Sequence, residues 1–270
     1  MPVDMAALAA DLAAETAITR ELVAGLDEPA WHTPTPAIGW TIKDQISHLA
    51  YFDEVAVRAA VHPAEFRAEL AAAPEHVNPD AIAARYRDRT GTQLLAWFGT
   101  ARAQLLETFT ELDPRQRLPW FGPDMSAASS LTARIMETWA HTQDIADALG
   151  VSREPTARLR HVAHIGIGAR AFSYEARGQA PPSAPIRVEL TAPDATLWTW
   201  GPPEAADRVT GTALDFCLLV TQRRHRDDLD LAVTGPAAAE WTQIAQAFAG
   251  QPGPGRAPNP PKPPKPGQAK

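Results

Sequence analysis

The sequence predicts an α+β protein, with an N-terminal four-helix bundle, a small α+β domain after it and a disordered, proline-rich C-terminal tail. Apolar residues recur with helical spacing through four long segments of the first half. Period-two alternation, which is typical of strands, begins only beyond residue 185. Residues 251–270 contain eight Pro and three Gly. We therefore expect the bundle over residues 1–152, a connecting helix and the small domain over 153–250, and the tail over 251–270.

Capping residues and prolines delimit the four bundle helices. Thr41 and Asp44 have the spacing of a capping box, so the second helix begins there. Asp113-Pro114 ends the third helix, because proline disfavours helical backbone in the residue before it. Gly150 suits the left-handed position just after the fourth helix. The expected helices span residues 4–26, 41–60, 80–112 and 127–149.

The second half of the chain changes from a helical to an alternating pattern. Strands that are followed by helices are typical of α+β domains. The tail has no apolar periodicity and cannot offset the entropy lost on ordering, so we expect it to be disordered. The expected strands span residues 186–191, 196–200, 208–211 and 229–233, and the expected helices span 155–177, 213–223 and 236–249.

Composition argues against several classes of protein. The chain has 25 Lys and Arg against 32 Asp and Glu, and a net charge of −7 disfavours binding to nucleic-acid phosphates. The single cysteine, Cys217, excludes an intrachain disulfide and a cysteine-based zinc site. The N-terminus lacks the basic start of a secretory signal, and no run of about 18 apolar residues could span a membrane. We expect a cytoplasmic monomer or homodimer with small-molecule partners.

Two predicted helices carry a candidate metal-binding set. Glu137 and His141 are four residues apart and therefore share one face of the fourth helix. His48 lies in the middle of the second helix, from which it could supply a third ligand, because bundles build metal sites from facing helices. The alternatives are a surface ion pair between Glu137 and His141 and an ordinary core histidine at position 48.

Both stretches resemble the motifs of the mycothiol-dependent maleylpyruvate isomerase family, a branch of the DinB-like metal-binding four-helix bundles. The stretch from Trp40 to His48 is similar to the W-(S/T)-x-x-D-x-x-x-H entry into the second helix, where the histidine is a metal ligand. The stretch from Glu137 to Asp144 is similar to the E-x-x-x-H-x-x-D motif that completes the site. The resemblance implies that His48, Glu137 and His141 bind one divalent ion and that mycothiol is the co-substrate.

The second half resembles the small sterol-carrier-like domain that follows the bundle in such proteins. Residues 209–224 are similar to a strand-to-helix element in which family members carry an arginine that faces the active site. This implies that Arg223 or Arg224 has a catalytic and cofactor-binding role. The alternative is that both arginines complement the dipole at a solvated helix end. Asp144 lies one turn after His141 and is a candidate to hydrogen-bond a ligand histidine or water; the alternative is an ordinary acid on a helix face.

The ligand set indicates which chemistry the site would perform. Two histidines and one carboxylate leave a coordination position open, as in catalytic zinc sites, and suit Zn²⁺ by ligand type. A thiol at that position would be deprotonated by the charge of the ion. Cys217 lies in an apolar helical segment, so the thiol should come from a cofactor, which the resemblance implies is mycothiol.

We therefore predict a metal-dependent S-transferase or isomerase. Its metal-bound thiolate would be transferred to, exchanged on, or used to isomerise a small electrophile. Two alternatives remain open at this point. A metal-dependent hydrolase would activate water at the same position. A non-catalytic protein would keep the ion for stability and bind a small molecule or lipid in its second domain.

Overall fold

A computed structural model describes residues 3–72, 78–253 and 255–260 of the chain. The described chain forms two compact units. The first contains the residues up to Ala169 together with Ala247–Gly250, and the second contains Arg170–Gln246 and the residues after position 250. The predicted α+β class is confirmed, because the first unit is helical and the second contains a four-stranded sheet. The domain boundaries predicted at residues 152 and 250 stay predictions.

The first unit contains eight helices and one two-stranded hairpin within its described residues. Four long helices pack together as the predicted bundle, and their apolar faces form its core. No helix in the described part of the chain is long and apolar enough to cross a membrane. The elements are α1 (Met5–Val23), α2 (Glu28–Trp31), α3 (Ile42–Val61), α4 (Pro63–Ala72), α5 (Pro79–Ala84), α6 (Gly91–Thr110), β1 (Arg117–Leu118), β2 (Met125–Ser126), α7 (Ala127–Leu149) and α8 (Leu159–Gly168).

The caps that were predicted for α3 and α7 are present. The Asp44 carboxylate accepts hydrogen bonds from the backbone N–H and the hydroxyl of Thr41, both at 2.8 Å. Gly150 follows α7 with a φ of 66°, a left-handed conformation that glycine adopts without a steric penalty. The two capping elements fix where the helices that carry the candidate ligands begin and end.

The prediction of one helix over residues 80–112 was wrong, because the chain turns between α5 and α6. Thr90 begins α6 with its own capping box, in which Gln93 is the partner. Gly91 lies against the buried indole of Trp31, where a Cβ atom would come within 2.2 Å of the ring nitrogen. This contact between segments 60 residues apart leaves no periodic signal in the sequence.

Two further predictions were wrong, one for the helix that follows α7 and one for the loop that precedes it. The helix predicted over 155–177 is two helices, α8 and α9, separated at Ala169 after the poor helix former Gly168. The loop expected between the third and fourth bundle helices contains the β1–β2 hairpin, whose two-residue strands are too short to alternate visibly.

The second unit is a mixed sheet that packs against two helices. The strand order is β4-β3-β5-β6, in which β3 pairs parallel to β5 and the other two pairs are antiparallel. The inward side chains of β3, Ile186, Val188 and Leu190, are buried. The elements are α9 (Arg170–Glu175), β3 (Ile186–Thr191), β4 (Leu197–Trp200), β5 (Asp207–Thr212), α10 (Ala213–Val220), a 3₁₀ turn (Arg226–Asp228), β6 (Leu231–Thr234) and α11 (Pro236–Ile244).

Two helices of the second unit end earlier than predicted. Helix α10 ends at Val220, three residues before the predicted end, and α11 ends at Ile244. Cys217 is fully buried in α10, as its apolar context indicated.

Residues 251–253 and 255–260 of the predicted tail contain no helix or strand, and the N–H of Asn259 donates to the Asp228 carboxylate. The rest of the predicted disordered tail, residue 254 and residues 261–270, lies outside the described residues.

A buried ionic network connects the four long helices. The Asp53 carboxylate on α3 accepts hydrogen bonds from Arg102 on α6 at 2.7 Å and from Arg134 on α7 at 3.0 Å. Arg102 also donates to Thr16 on α1 and to Thr138 on α7. All three ionic side chains are nearly inaccessible to solvent. Asp53 is therefore the one carboxylate that faces two buried guanidinium groups in this network.

Replacing Asp53 with Ala should destabilise the protein by about 3–5 kcal/mol, because two guanidinium groups would remain buried without their counter-ion. The free energy of unfolding, measured by urea denaturation, checks this. Asp124→Ala is the matched control: its carboxylate pairs with Arg67 at the surface, so its removal should cost less than about 1 kcal/mol. Equal losses in the two variants would contradict the role given to Asp53.

Candidate metal centre

Helices α3 and α7 supply the three predicted metal ligands. His48 lies in the middle of α3, and Glu137 and His141 lie one turn apart on α7. The two histidines are 8% and 9% exposed, and the Glu137 side chain is 19% exposed. The site is therefore mostly enclosed by the bundle, with access to solvent through the carboxylate.

The donor atoms of the three side chains converge. Oε2 of Glu137 lies 3.2 Å from Nε2 of His141 and 3.5 Å from Nε2 of His48. One ligand atom from each residue falls within 4.8 Å of the other two. The imidazole rings are 4.3 Å apart between centroids. The alternatives considered for the sequence, a solvated surface pair and an isolated core histidine, do not describe this arrangement.

Burial and mutual charge set the protonation of the site. Burial, reinforced by the nearby His141, lowers the pKa of His48 to about 4, so this imidazole is neutral near pH 7. Burial alone would raise the pKa of Glu137, but the contacts with His141 and His48 outweigh it and hold that pKa well below its usual value. A neutral imidazole and an ionised carboxylate are the forms that bind metal ions.

A hydrogen-bond chain orients His141. The amide nitrogen of Gln45 donates to the hydroxyl of Thr35 at 2.9 Å, and that hydroxyl donates to the carbonyl of Trp40 at 3.0 Å. The amide oxygen of Gln45 consequently faces Nδ1 of His141 and accepts a hydrogen bond from it. Nε2 of His141 is left to face Glu137. A histidine that is anchored through one nitrogen while the other faces a cluster is the usual arrangement of a metal ligand.

Two aromatic rings enclose the histidines. The Trp40 indole stacks on His141 at 5.8 Å between centroids and lies 5.3 Å from His48. Phe52, one turn after His48 on α3, contacts the His48 ring with 4.6 Å between the ring centroids. The indole N–H of Trp40 donates to Asp80 at 2.6 Å, which fixes the ring in place. These rings limit the room around the ligands and restrict the approach of water.

The residues fit a divalent cation. Nε2 of His141 and Nε2 of His48 both face the Glu137 carboxylate, at 3.2 and 3.5 Å, so one ion placed among them would be within reach of all three side chains. Nδ1 of His48 is buried and has no hydrogen-bond partner within the part of the chain that the structure describes. Two nitrogens and one oxygen form a donor set that suits Zn²⁺ and leave room for a further ligand.

The roles of all the predicted site residues stay predictions, and three of these residues lie outside the ligand cluster. Asp144 is fully buried on α7, one turn after His141. Arg223 and Arg224 belong to the second compact unit, where they follow α10. Gln45 and Thr35 were not anticipated. Gln45 lies three residues before His48 on the same helix face, so its spacing could have identified it, whereas Thr35 lies in the preceding loop and could not.

Comparisons with known proteins match both parts of the chain. The family described as mycothiol maleylpyruvate isomerase N-terminal domain matches residues 12–146, which include all three candidate ligands. The family described as wyosine base formation matches residues 182–234 in the second unit.

Whole-chain relatives and solved structures also match. Uncharacterized protein MT0041 and Uncharacterized protein Rv0036c, from two strains of Mycobacterium tuberculosis, are each 47% identical over 251 residues, which cover 92% of this chain and 97% of theirs. The crystal structure of the mycothiol-dependent maleylpyruvate isomerase has 16% identity and a TM-score of 0.57, and covers 93% of this chain and 97% of that one. A histidine-to-alanine mutant of that enzyme has a TM-score of 0.58 at 16% identity, over 87% of this chain and 96% of that one. At this identity the likeness to solved structures concerns the fold.

Replacing Gln45 with Leu should weaken Zn²⁺ binding by about 10- to 100-fold, because His141 would lose the acceptor that fixes its orientation. Titration with a competing chelator measures the affinity. Gln45→Glu keeps an acceptor oxygen and should retain most of the affinity.

Gln104→Leu, an exposed change of the same kind on α6, serves as the matched control and should leave the affinity within about twofold. Zn²⁺ binding by Gln45→Leu at the level of this control would contradict the positioning role.

Proposed function

The chain belongs to the mycothiol maleylpyruvate isomerase N-terminal domain family, and on that premise we propose that it is a metal-dependent enzyme that uses mycothiol to isomerise, or to transfer the thiol to, a small electrophilic substrate. The observation that carries the proposal is the convergence of His48, Glu137 and His141 inside the bundle. A divalent ion, with Zn²⁺ favoured by the donor set, would stabilise the thiolate form of a bound thiol at neutral pH.

The chain's own residues account for the remaining requirements of such a site. His48 is neutral near pH 7 and Glu137 is ionised, so neither has to change its protonation to accept an ion. Gln45 holds His141 in one orientation. Trp40 and Phe52 pack against the histidines, while the partly exposed Glu137 leaves the site open to a ligand from solvent. A site of this kind is assembled before its ligand arrives.

The thiol must come from outside the protein. Cys217 is the single cysteine of the sequence, and it is fully buried among apolar residues of α10. A buried thiol in apolar surroundings has little thiolate character and little access to substrate. This supports a low-molecular-weight thiol as co-substrate, and family membership supports mycothiol in particular.

Three further residues are proposed to assist. Asp144, buried one turn after His141, is proposed to hydrogen-bond a ligand or a water of the site. Arg223 and Arg224 are proposed to bind an anionic group of the substrate or of the thiol, since a guanidinium group can bind a carboxylate through two parallel hydrogen bonds. Substrates of this kind include conjugated acids, in which a thiolate can add to a double bond and leave again after rotation.

The direct test combines metal analysis with calorimetric titration of mycothiol into metal-loaded and chelator-treated protein. Heat of binding only in the metal-loaded sample supports the proposal. A loaded protein that gives no heat with mycothiol but hydrolyses small esters or amides would favour a metal-dependent hydrolase. A protein that gives no heat and turns over neither substrate class would favour a non-catalytic small-molecule or lipid-binding protein.

His48→Ala should reduce bound metal from about one ion per chain to almost none, because two remaining ligands hold zinc weakly. The fold should survive, since the bundle rests on its apolar core and the Asp53 network. Elemental analysis measures the metal, and circular dichroism with thermal unfolding follows the fold. His164→Ala, at an exposed position on α8, is the control and should keep its metal. Full metal content in His48→Ala would contradict the assignment.

A further inference from the structure

The second compact unit contains a small cavity, and among the residues proposed for the thiol reaction only Arg224 lines it. Its volume is about 100 Å³, and its walls include the turn after α10, the end of α11 and residues Gly253, Gly255 and Arg256. All of its lining residues belong to the second unit. A space of this size holds several waters or one small polyatomic group.

The titratable side chains among the described residues of the cavity lining are all basic, and no carboxylate is among those residues. The Asp227 carboxylate lies 3.5 Å from Nδ1 of His225, with a side chain that is 73% exposed. The basic lining residues are Arg177, Arg224, His225, Arg226 and Arg256.

Neutral acceptors hold two of these arginines in place. Arg226 donates to the carbonyls of Leu229 and Leu231, at 3.3 and 2.6 Å. Arg177 donates to the carbonyl of Ser173 at 2.8 Å. Bonds to backbone carbonyls orient a guanidinium group without cancelling its charge. The cavity therefore presents fixed cations, for which an anion is the complementary ligand.

The turn that forms one wall has an unusual backbone. Gln222 has a φ of 57°, a left-handed conformation that helix C-termini usually assign to glycine. The N–H of Arg223 reaches back to the carbonyl of Leu218 at 2.8 Å, which closes the turn after α10. The Gln222 amide lines the cavity and donates to the carbonyl of Ala245 at 3.1 Å. A side chain at this position thus joins the turn to α11, which glycine could not do.

We propose that this cavity binds a doubly charged tetrahedral oxyanion, either free phosphate or the phosphate group of a small phosphomonoester. The planar fork of a guanidinium group matches two oxygens of such an anion, and several forks around one small space favour more than one negative charge. Binding of a phosphate group is not part of the proposed thiol reaction, and none of the ligands of the candidate metal centre lines the cavity.

Calorimetric titration of the full-length protein with inorganic phosphate and with glycerol phosphate, at constant ionic strength in chloride buffer, tests the proposal. Saturable binding of either probe is expected, and tighter binding of one identifies the source of the phosphate. Arg177→Gln and Arg256→Gln should each weaken that binding by about tenfold or more, because each removes a charge-assisted hydrogen bond. Thermal unfolding confirms that each variant is folded.

Arg208→Gln is the matched control, since it removes the same charge from the same unit, at a position on β5 outside the cavity. It should change the affinity by no more than about twofold, as expected for a screened charge. No saturable binding of either probe to the wild-type protein would overturn the proposal, and so would equal losses in the control and the cavity variants. Chelator treatment should leave phosphate binding intact, which separates this result from the fate of the proposed thiol function.

Discussion

The carboxylate of Asp53 is the interaction on which the geometry of the bundle depends. It receives guanidinium groups from α6 and α7 at once, and Arg102 extends the network to α1 through Thr16. A charged network of this kind tolerates little sliding, because a shift of one helical turn would leave a buried ion unpaired. The four long helices therefore share one register, and their apolar faces pack around it.

The same register assembles the candidate metal centre. Asp53 and His48 are five residues apart on α3, about 7.5 Å along the helix axis. Arg134 precedes the Glu137–His141 pair on α7 by a similar distance. Because Asp53 pairs with Arg134 across antiparallel helices, moving five residues toward the start of α3 brings His48 opposite the span between Glu137 and His141. The ionic network and the ligand cluster are two consequences of a single helix alignment.

The sequence was most informative where a feature is local. The bounds of α7 follow from its periodicity and from Gly150, and the spacing of Glu137 and His141 placed both on one face. The break before α6 combines a local signal, the capping box of Thr90 and Gln93, with the packing of Trp31 against Gly91, a contact between distant segments. The orientation of His141 depends on Thr35 and Gln45 from two different segments. The basic cavity likewise contains arginines that lie up to 79 positions apart in the sequence, from 177 to 256, so no sequence motif predicts it.

The charges inside the bundle also bear on which ligands the centre would accept. Around Asp53 the two guanidinium groups of Arg102 and Arg134 exceed the carboxylate by one positive charge. The charge of Arg134 reaches the candidate metal centre, since it helps to lower the pKa of His48. A divalent ion at the three ligands would add positive charge to a medium that solvates it poorly. Glu137 would offset part of that charge, and an anionic further ligand, such as the proposed thiolate, would offset more of it. A neutral further ligand would offset none.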